Sequence, residues 1–285
     1  MKICRSIAEM RAQMAAFRNA DHSVGLVTTM GALHAGHMAL VKSAVQAHSR
    51  VVATIFVNPT QFGDPSDLDN YPRTEEADLT MLRDAGVAAV FIPDAGDMYP
   101  DGDETIVETT GLANMLHGLV RPGHFRGVAT VVTKLFNIVQ ADAAYFGEKD
   151  FQQLAVIRRL VRDLHMPIQI VGVPTVREAD GLAMSSRNVR LTAPDRAAAI
   201  VLNQALSRAE MLAAEGAQVD ILNQAIRDTI TAEPRATLMA VDIVIADTFE
   251  PATGPVTQTI GIMISAQFGA GDNQVLLIDQ REIHP

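Results

Sequence analysis

The sequence is short of cysteine, of long apolar runs and of positive charge. Its one cysteine, Cys4, has no partner for an internal disulfide. That excludes a disulfide-stapled secreted scaffold and fits a reducing, cytoplasmic setting. No apolar run reaches the roughly 18 residues of a membrane span. The opening "MKICRSIAEMRAQMAAF" scatters charges where a signal peptide would keep an apolar stretch, so it reads as an amphipathic helix. Basic side chains number 23 against 33 acidic ones, a formal net charge of -10. Such a field disfavours nucleic acid over most of the surface. Any bound anion must be held in a local basic pocket.

Hydrophobic residues make up 48% and charged residues 20%, enough for a substantial core. The 285 residues exceed one average domain. Up to about residue 175, apolar runs at 24–28, 51–57, 87–92, 104–108, 142–146 and 168–173 read as strands. Helical patterns at 37–49, 74–85, 126–139 and 150–165 separate them. This alternation predicts an α/β fold, a doubly wound, Rossmann-like parallel sheet over residues 1–175. Ligands of such sheets lie outside the carboxyl ends of the strands. Residues 176–285 read as a smaller α+β domain that closes over the site. It is predicted to hold helices at 193–215 and 218–232, then strand-like runs at 238–247, 257–269 and 273–279.

Three segments carry chemistry. "TMGALHAGH" ends the first strand run and places His34 and His37 three apart at a helix start, so they share a face. Helix N-termini favour phosphate, Gly31 and Gly36 allow close approach, and imidazoles can donate to growing negative charge. "YFGEKDFQQL" puts Lys149 and Asp150 at another helix start, as a phosphate partner and a candidate Mg²⁺ contact. "GLAMSSRN" offers Ser185, Ser186 and Arg187 on a loop of small residues, predicted to order only over phosphates. Each has a plainer meaning: a structural histidine, a solvated helix turn and a linker. His34 and His37 would also suit a metal hydrolase, although no third ligand is evident. A nucleotide-binding module without catalysis is a further alternative.

Six segments, "TMGALHAGH", "IFVNPTQF", "YPRT", "RPGHFRGV", "FGEKDFQQL" and "VREADGLAMSSRN", together resemble the pantothenate synthetase (pantoate–β-alanine ligase) family. That family lies within the nucleotidyltransferase superfamily with HIGH-type signatures. The likeness covers nearly the whole chain. It implies attack of pantoate on the α-phosphorus of ATP, then attack of β-alanine on the pantoyl adenylate, releasing AMP and pyrophosphate. It implies His37 and His34 as catalytic contacts to the phosphates. It implies an ATP site of Met30, Gly31, Ala32, Leu33, His34, Ala35, Gly36, His37, Gly147, Glu148, Lys149, Asp150, Val176, Met184, Ser185, Ser186 and Arg187. Gln61 and Gln153 look like the glutamines that hold pantoate and border the β-alanine path. Asp150 and Asp78 are implied Mg²⁺ contacts, with Glu76 a further candidate. The family resemblance suggests a homodimer. Thr28 and Ala35 depart from the family, which often has proline and an acidic residue there. Adenylation that releases a stable dinucleotide is the nearest alternative reaction, and the glutamines argue against it. The basic run "RPGHFRG" leaves the roles of Arg121, His124 and Arg126 open.

Overall fold

The structure, a computed structural model, describes residues 1–63, 68–271 and 274–285. The chain divides into two compact units, Met1–Gly147 with Gln152–Val173, and Glu148–Phe151 with Pro174–Pro285. The sequence reading puts the domain change at 175/176. In the structure the chain crosses at 173/174, and the four residues 148–151 go with the second unit.

The first unit is built on six parallel strands: β1 (Lys2–Cys4), β2 (Val24–Thr29), β3 (Arg50–Ile55), β4 (Ala89–Phe91), β5 (Ala143–Gly147) and β6 (Gln169–Val173). Their order is β1-β4-β3-β2-β5-β6. The winding reverses between β2 and β5, and the carboxyl ends of those two strands are where such a sheet takes a ligand. Side chains alternate across the sheet. Leu26 of β2 joins one apolar cluster with Met10, Met14, Val131 and Leu135. Its neighbour Val27 joins a second with Leu40, Val41, Leu79 and Leu82. These clusters are built with α1 (Ile7–Asn19) and α4 (His124–Val139) for the first, and α2 (Ala35–Ala47) and α3 (Glu75–Asp84) for the second. Both sheet faces are thus covered, which is why the strand runs read as continuously apolar. Helix α5 (Phe151–Asp163) adds Leu154, Ile157 and Leu160 to the first cluster.

Two expectations fail here. The opening residues do not start as a helix, because Lys2–Cys4 pairs with Ala89–Phe91. Helix α1 begins only after Ser6, which caps it reciprocally with Glu9. Three residues are too few to show a strand period. Conversely, 104–108 forms no strand. Val107 spends its N–H on the Thr130 hydroxyl at 3.1 Å instead of on a ladder.

The second unit has an antiparallel sheet, β7 (Ala236–Ile245), β8 (Ile260–Phe268) and β9 (Val275–Ile283), in that order. Ile260, Ile262, Ile264 and Phe268 of β8 pack with Leu202 and Leu206 of α6 (Val201–Ala214) and with Leu222 and Ile226 of α7 (Val219–Thr231). The single helix expected over 193–215 is broken. Ala193–Ala198 is separate, and the chain tightens between the two, with Leu202 N–H donating to the Ala199 carbonyl at 3.3 Å. Of the strand-like run at 273–279, residue 273 lies outside the described residues.

Candidate active site

Strand β2 ends at Thr29, a buried residue whose hydroxyl donates to the Thr54 carbonyl at 2.7 Å and accepts from Gly31 N–H at 3.1 Å. The chain then makes a left-handed turn, with φ of +83° at Gly31 and +50° at Ala32. Gly31 is favoured there: a Cβ would meet Asp78 Oδ2 at 3.1 Å and Ile55 at 3.2 Å, both tight, on backbone that strains a side chain. The turn delivers His34 to the N-cap of α2. His34 Nδ1 accepts from Gly36 N–H at 3.1 Å, and His34 N–H donates to His37 Nδ1 at 3.3 Å. The rings lie 4.1 Å apart, tilted by 44°. Because each Nδ1 accepts, each neutral imidazole carries its proton on Nε2. The pair is therefore set as two Nε2–H donors.

The helix start is less open to an anion through its backbone than the sequence suggests. Gly36 N–H and His34 N–H are spent on the imidazoles. Ala32 and Leu33 N–H point to the two oxygens of Asp78, each at 2.9 Å. Met30 through His37 form one continuous loop and helix start, in which the N–H groups of Gly31, Ala32, Leu33, His34 and Gly36 are already engaged. Asp78, implied beside Mg²⁺, is 2% exposed and turned to the loop, with the Thr74 hydroxyl also on Oδ1 at 3.1 Å.

Gln61 ends a one-turn helix, Pro59–Gln61, after β3. Its Oε1 accepts from Asn58 Nδ2 at 3.0 Å and its Nε2 reaches the Met30 sulfur at 3.2 Å. These two bonds set the amide orientation, with the NH₂ on the side of Met30, the first residue of the histidine turn. Asn58 is buried and held in turn: it donates to Gly127 O at 3.2 Å, and accepts from the Tyr99 hydroxyl at 2.7 Å and the Thr60 hydroxyl at 3.0 Å. Burial raises the Tyr99 phenol above its ordinary value, against a smaller lowering by Thr60, so it stays a neutral donor. The open question of "RPGHFRG" is answered in part. His124 Nδ1 bonds the Gln61 carbonyl at 2.9 Å, and Arg121 lies 3.3 Å from His124 Nε2, so both brace the Gln61 turn. Arg126 is exposed. Asn58, Thr60 and Tyr99 were missed in the sequence, although the asparagine of "NPTQF" stood in view.

The two glutamines of "FQQL" divide their work. Gln152 is buried and tied to backbone, donating to Leu112 O at 2.9 Å and Met115 O at 2.8 Å and accepting from His117 N–H at 3.1 Å. Gln153 is half-buried, and its amide bonds to none of the described residues.

In the second unit Glu148, Lys149 and Asp150 form the turn before α5, with Asp150 exposed. The loop at 181–188, expected to order only over phosphates, has packing and backbone partners at its start. Leu182 and Ala183 are buried, Met184 N–H bonds the Val176 carbonyl at 2.9 Å, and Arg177 forks onto buried Asp279 at 2.7 and 3.0 Å. Ser185 Oγ accepts from Arg187 N–H at 3.2 Å. Ser186 and Arg187 are half-buried. Among the described residues there is no group of three or more His, Cys, Asp or Glu fit to hold a metal, so His34 and His37 gain no third ligand.

A doubly wound parallel sheet whose central strand runs into a helix capped by two proton-donating imidazoles defines an α/β nucleotide-handling enzyme. Residues 2–282 match the family model for pantoate–β-alanine ligase, and the chain belongs to that family. The pantothenate synthetase of Rhizobium rhizogenes (strain K84) is 52% identical over 280 residues, 97% of this chain and 96% of the relative. That of Sinorhizobium medicae is 49% identical over 286 residues, covering 100% and 97%. The crystal structure of pantothenate synthetase from Thermus thermophilus matches with TM-score 0.93 at 43% identity over the whole of both chains. A pantoate–β-alanine ligase from Francisella tularensis, solved in complex with β-γ ATP and β-alanine, matches with TM-score 0.80 at 33% identity, covering 99% and 97%.

Proposed function

We propose that this chain makes pantothenate from pantoate, β-alanine and ATP. In the first half-reaction a pantoate carboxylate oxygen bonds to the α-phosphorus and the bond to pyrophosphate breaks. In the second, the β-alanine amine bonds to the acyl carbon of pantoyl adenylate, the bond to AMP breaks, and the amine loses a proton. The observation that carries this reading is the pairing of His34 and His37 at the start of α2, each Nδ1 accepting a backbone N–H. With each Nδ1 taking a backbone N–H, Nε2 of each ring is the nitrogen left to donate to phosphate oxygens whose charge grows. Gln61 supports the same reading, since its fixed NH₂ suits a carboxylate or hydroxyl oxygen and leaves the nucleophile charged. We assign Gln153 to the same acid and Lys149, Ser185, Ser186 and Arg187 to the phosphates on the strength of the motif matches.

Mg²⁺ enters this scheme as the partner of ATP, part of the substrate. Mg²⁺ keeps several waters and favours phosphate oxygens over all-protein cages. Asp150, exposed, is the carboxylate that fits a contact to it; Asp78 does not fit, because both oxygens serve backbone donors. A cytoplasmic homodimer is part of the proposal on the family resemblance alone. Product analysis tests the proposal: ATP, pantoate and β-alanine together should yield pantothenate and AMP in equal amounts. A stable dinucleotide product would overturn it.

A further inference from the structure

We propose that Asp78 is a positioning residue for the histidine turn and not a Mg²⁺ contact; this rests on the adenylation reading above. Successive left-handed residues turn their N–H groups to one side and make a concave anion seat. At Gly31 and Ala32 that seat is filled by the protein's own carboxylate. Asp78 Oδ2 takes Ala32 N–H and Oδ1 takes Leu33 N–H, both at 2.9 Å, and the Thr74 hydroxyl fixes Oδ1 from the other side at 3.1 Å. The carboxylate comes from the first turn of α3, across 46 residues of chain, so it ties the turn to a helix of the second apolar cluster. Ala32 needs such a tie, since φ of +50° is costly for a residue with a Cβ. One residue beyond Leu33, His34 begins the reciprocal bonding that sets both imidazole protons on Nε2. Asp78 thus acts through the turn on the position of the donors.

The substitution Asp78→Asn keeps the shape but offers one oxygen and one NH₂, so one backbone N–H meets a donor. The turn relaxes and the imidazoles shift. A misplacement of about 1 Å costs about 10²-fold in rate. In the full-length chain we expect kcat for pyrophosphate release to fall by about that factor, with KM for pantoate and the Mg²⁺ concentration for half-maximal rate both held. Amide exchange of Ala32 and Leu33 in the ligand-free protein should quicken. Thr74→Val, which removes only the orienting hydroxyl, should move kcat and exchange in the same direction by less, and it decides the matter if Asp78→Asn does not fold. A preserved kcat with a raised Mg²⁺ requirement would make Asp78 a metal contact and overturn the proposal. Unchanged exchange of both amides would overturn it as well. Should the parent chain release no pyrophosphate with pantoate, the adenylation reading fails, while the exchange result still judges the role of Asp78 in the turn.

Discussion

His37 and Gln61 have roles that single substitutions separate. His37→Ala removes one of two preorganised donors and also the acceptor for His34 N–H. The loss of one such donor costs about 3–4 kcal/mol, or about 10²–10³ in rate. Pyrophosphate release by the folded variant should drop by that amount; near-parent rates would remove His37 from the chemistry. Gln61→Ala is different. Its NH₂ lies beside the Met30 sulfur, and a lost neutral hydrogen bond to a buried partner costs about 1–3 kcal/mol. Titration should show weakened pantoate and little change for ATP. Equal losses for both ligands would make Gln61 part of the scaffold. At this scale the sequence showed the donors but not their setting. The i,i+3 histidines and "NPTQF" were legible as local patterns. The Asn58–Tyr99 bond, 41 residues apart, and the Asp78 seat, 46 apart, arise from folding and leave no periodic trace.

Elements position these groups through close backbone contacts. Gly127 in α4 is one: an added Cβ would lie 2.5 Å from the Thr60 carbonyl oxygen and 2.8 Å from Gln61 Cα. Gly127→Ala must push helix and turn apart. Overpacking of this kind costs about 1–3 kcal/mol, so the melting temperature should fall, and KM for pantoate should rise because Gln61 rides on that turn. A variant with parent stability and parent KM would show that the two elements yield freely. In the second unit, Asp195 supports the start of Ala193–Ala198. The Thr192 hydroxyl first, then Arg235, hold its carboxyl below the ordinary value of 3.8. A lowered folded pKa stabilises above the unfolded value, and that share is lost as pH falls through the folded value. Between about pH 4 and the lowered value the parent should therefore lose stability with acidification, and Asp195→Asn should lose this slope. Acid titration of unfolding, followed by circular dichroism, checks it; identical slopes would deny Asp195 any part. The periodic signal reported such elements well when they were long. It failed for Lys2–Cys4, too short to show a period. It failed at 104–108, where a short β-rich run has no neighbouring strand, and at 199–200, where helical residues hide a tightened turn.

For the whole molecule, the α/β alternation and the change of pattern near residue 175 were enough to separate two kinds of structure. They were not enough to show that Glu148–Phe151 leaves the first unit, because four residues carry no pattern of their own. The small residues of the loop at 181–188 likewise gave no sign in sequence that Leu182 and Ala183 are buried, Leu182 in an apolar cluster formed by distant helices. The central claim concerns the chemistry the first unit supports, namely that its paired imidazoles serve transfer of an adenylyl group to pantoate. The most direct measurement is pyrophosphate release from Mg²⁺–ATP as pantoate is raised, without β-alanine. The account predicts release that depends on pantoate, saturates, and stops near one equivalent of enzyme sites until β-alanine is supplied. Release that ignores pantoate, or that requires β-alanine from the start, would contradict it.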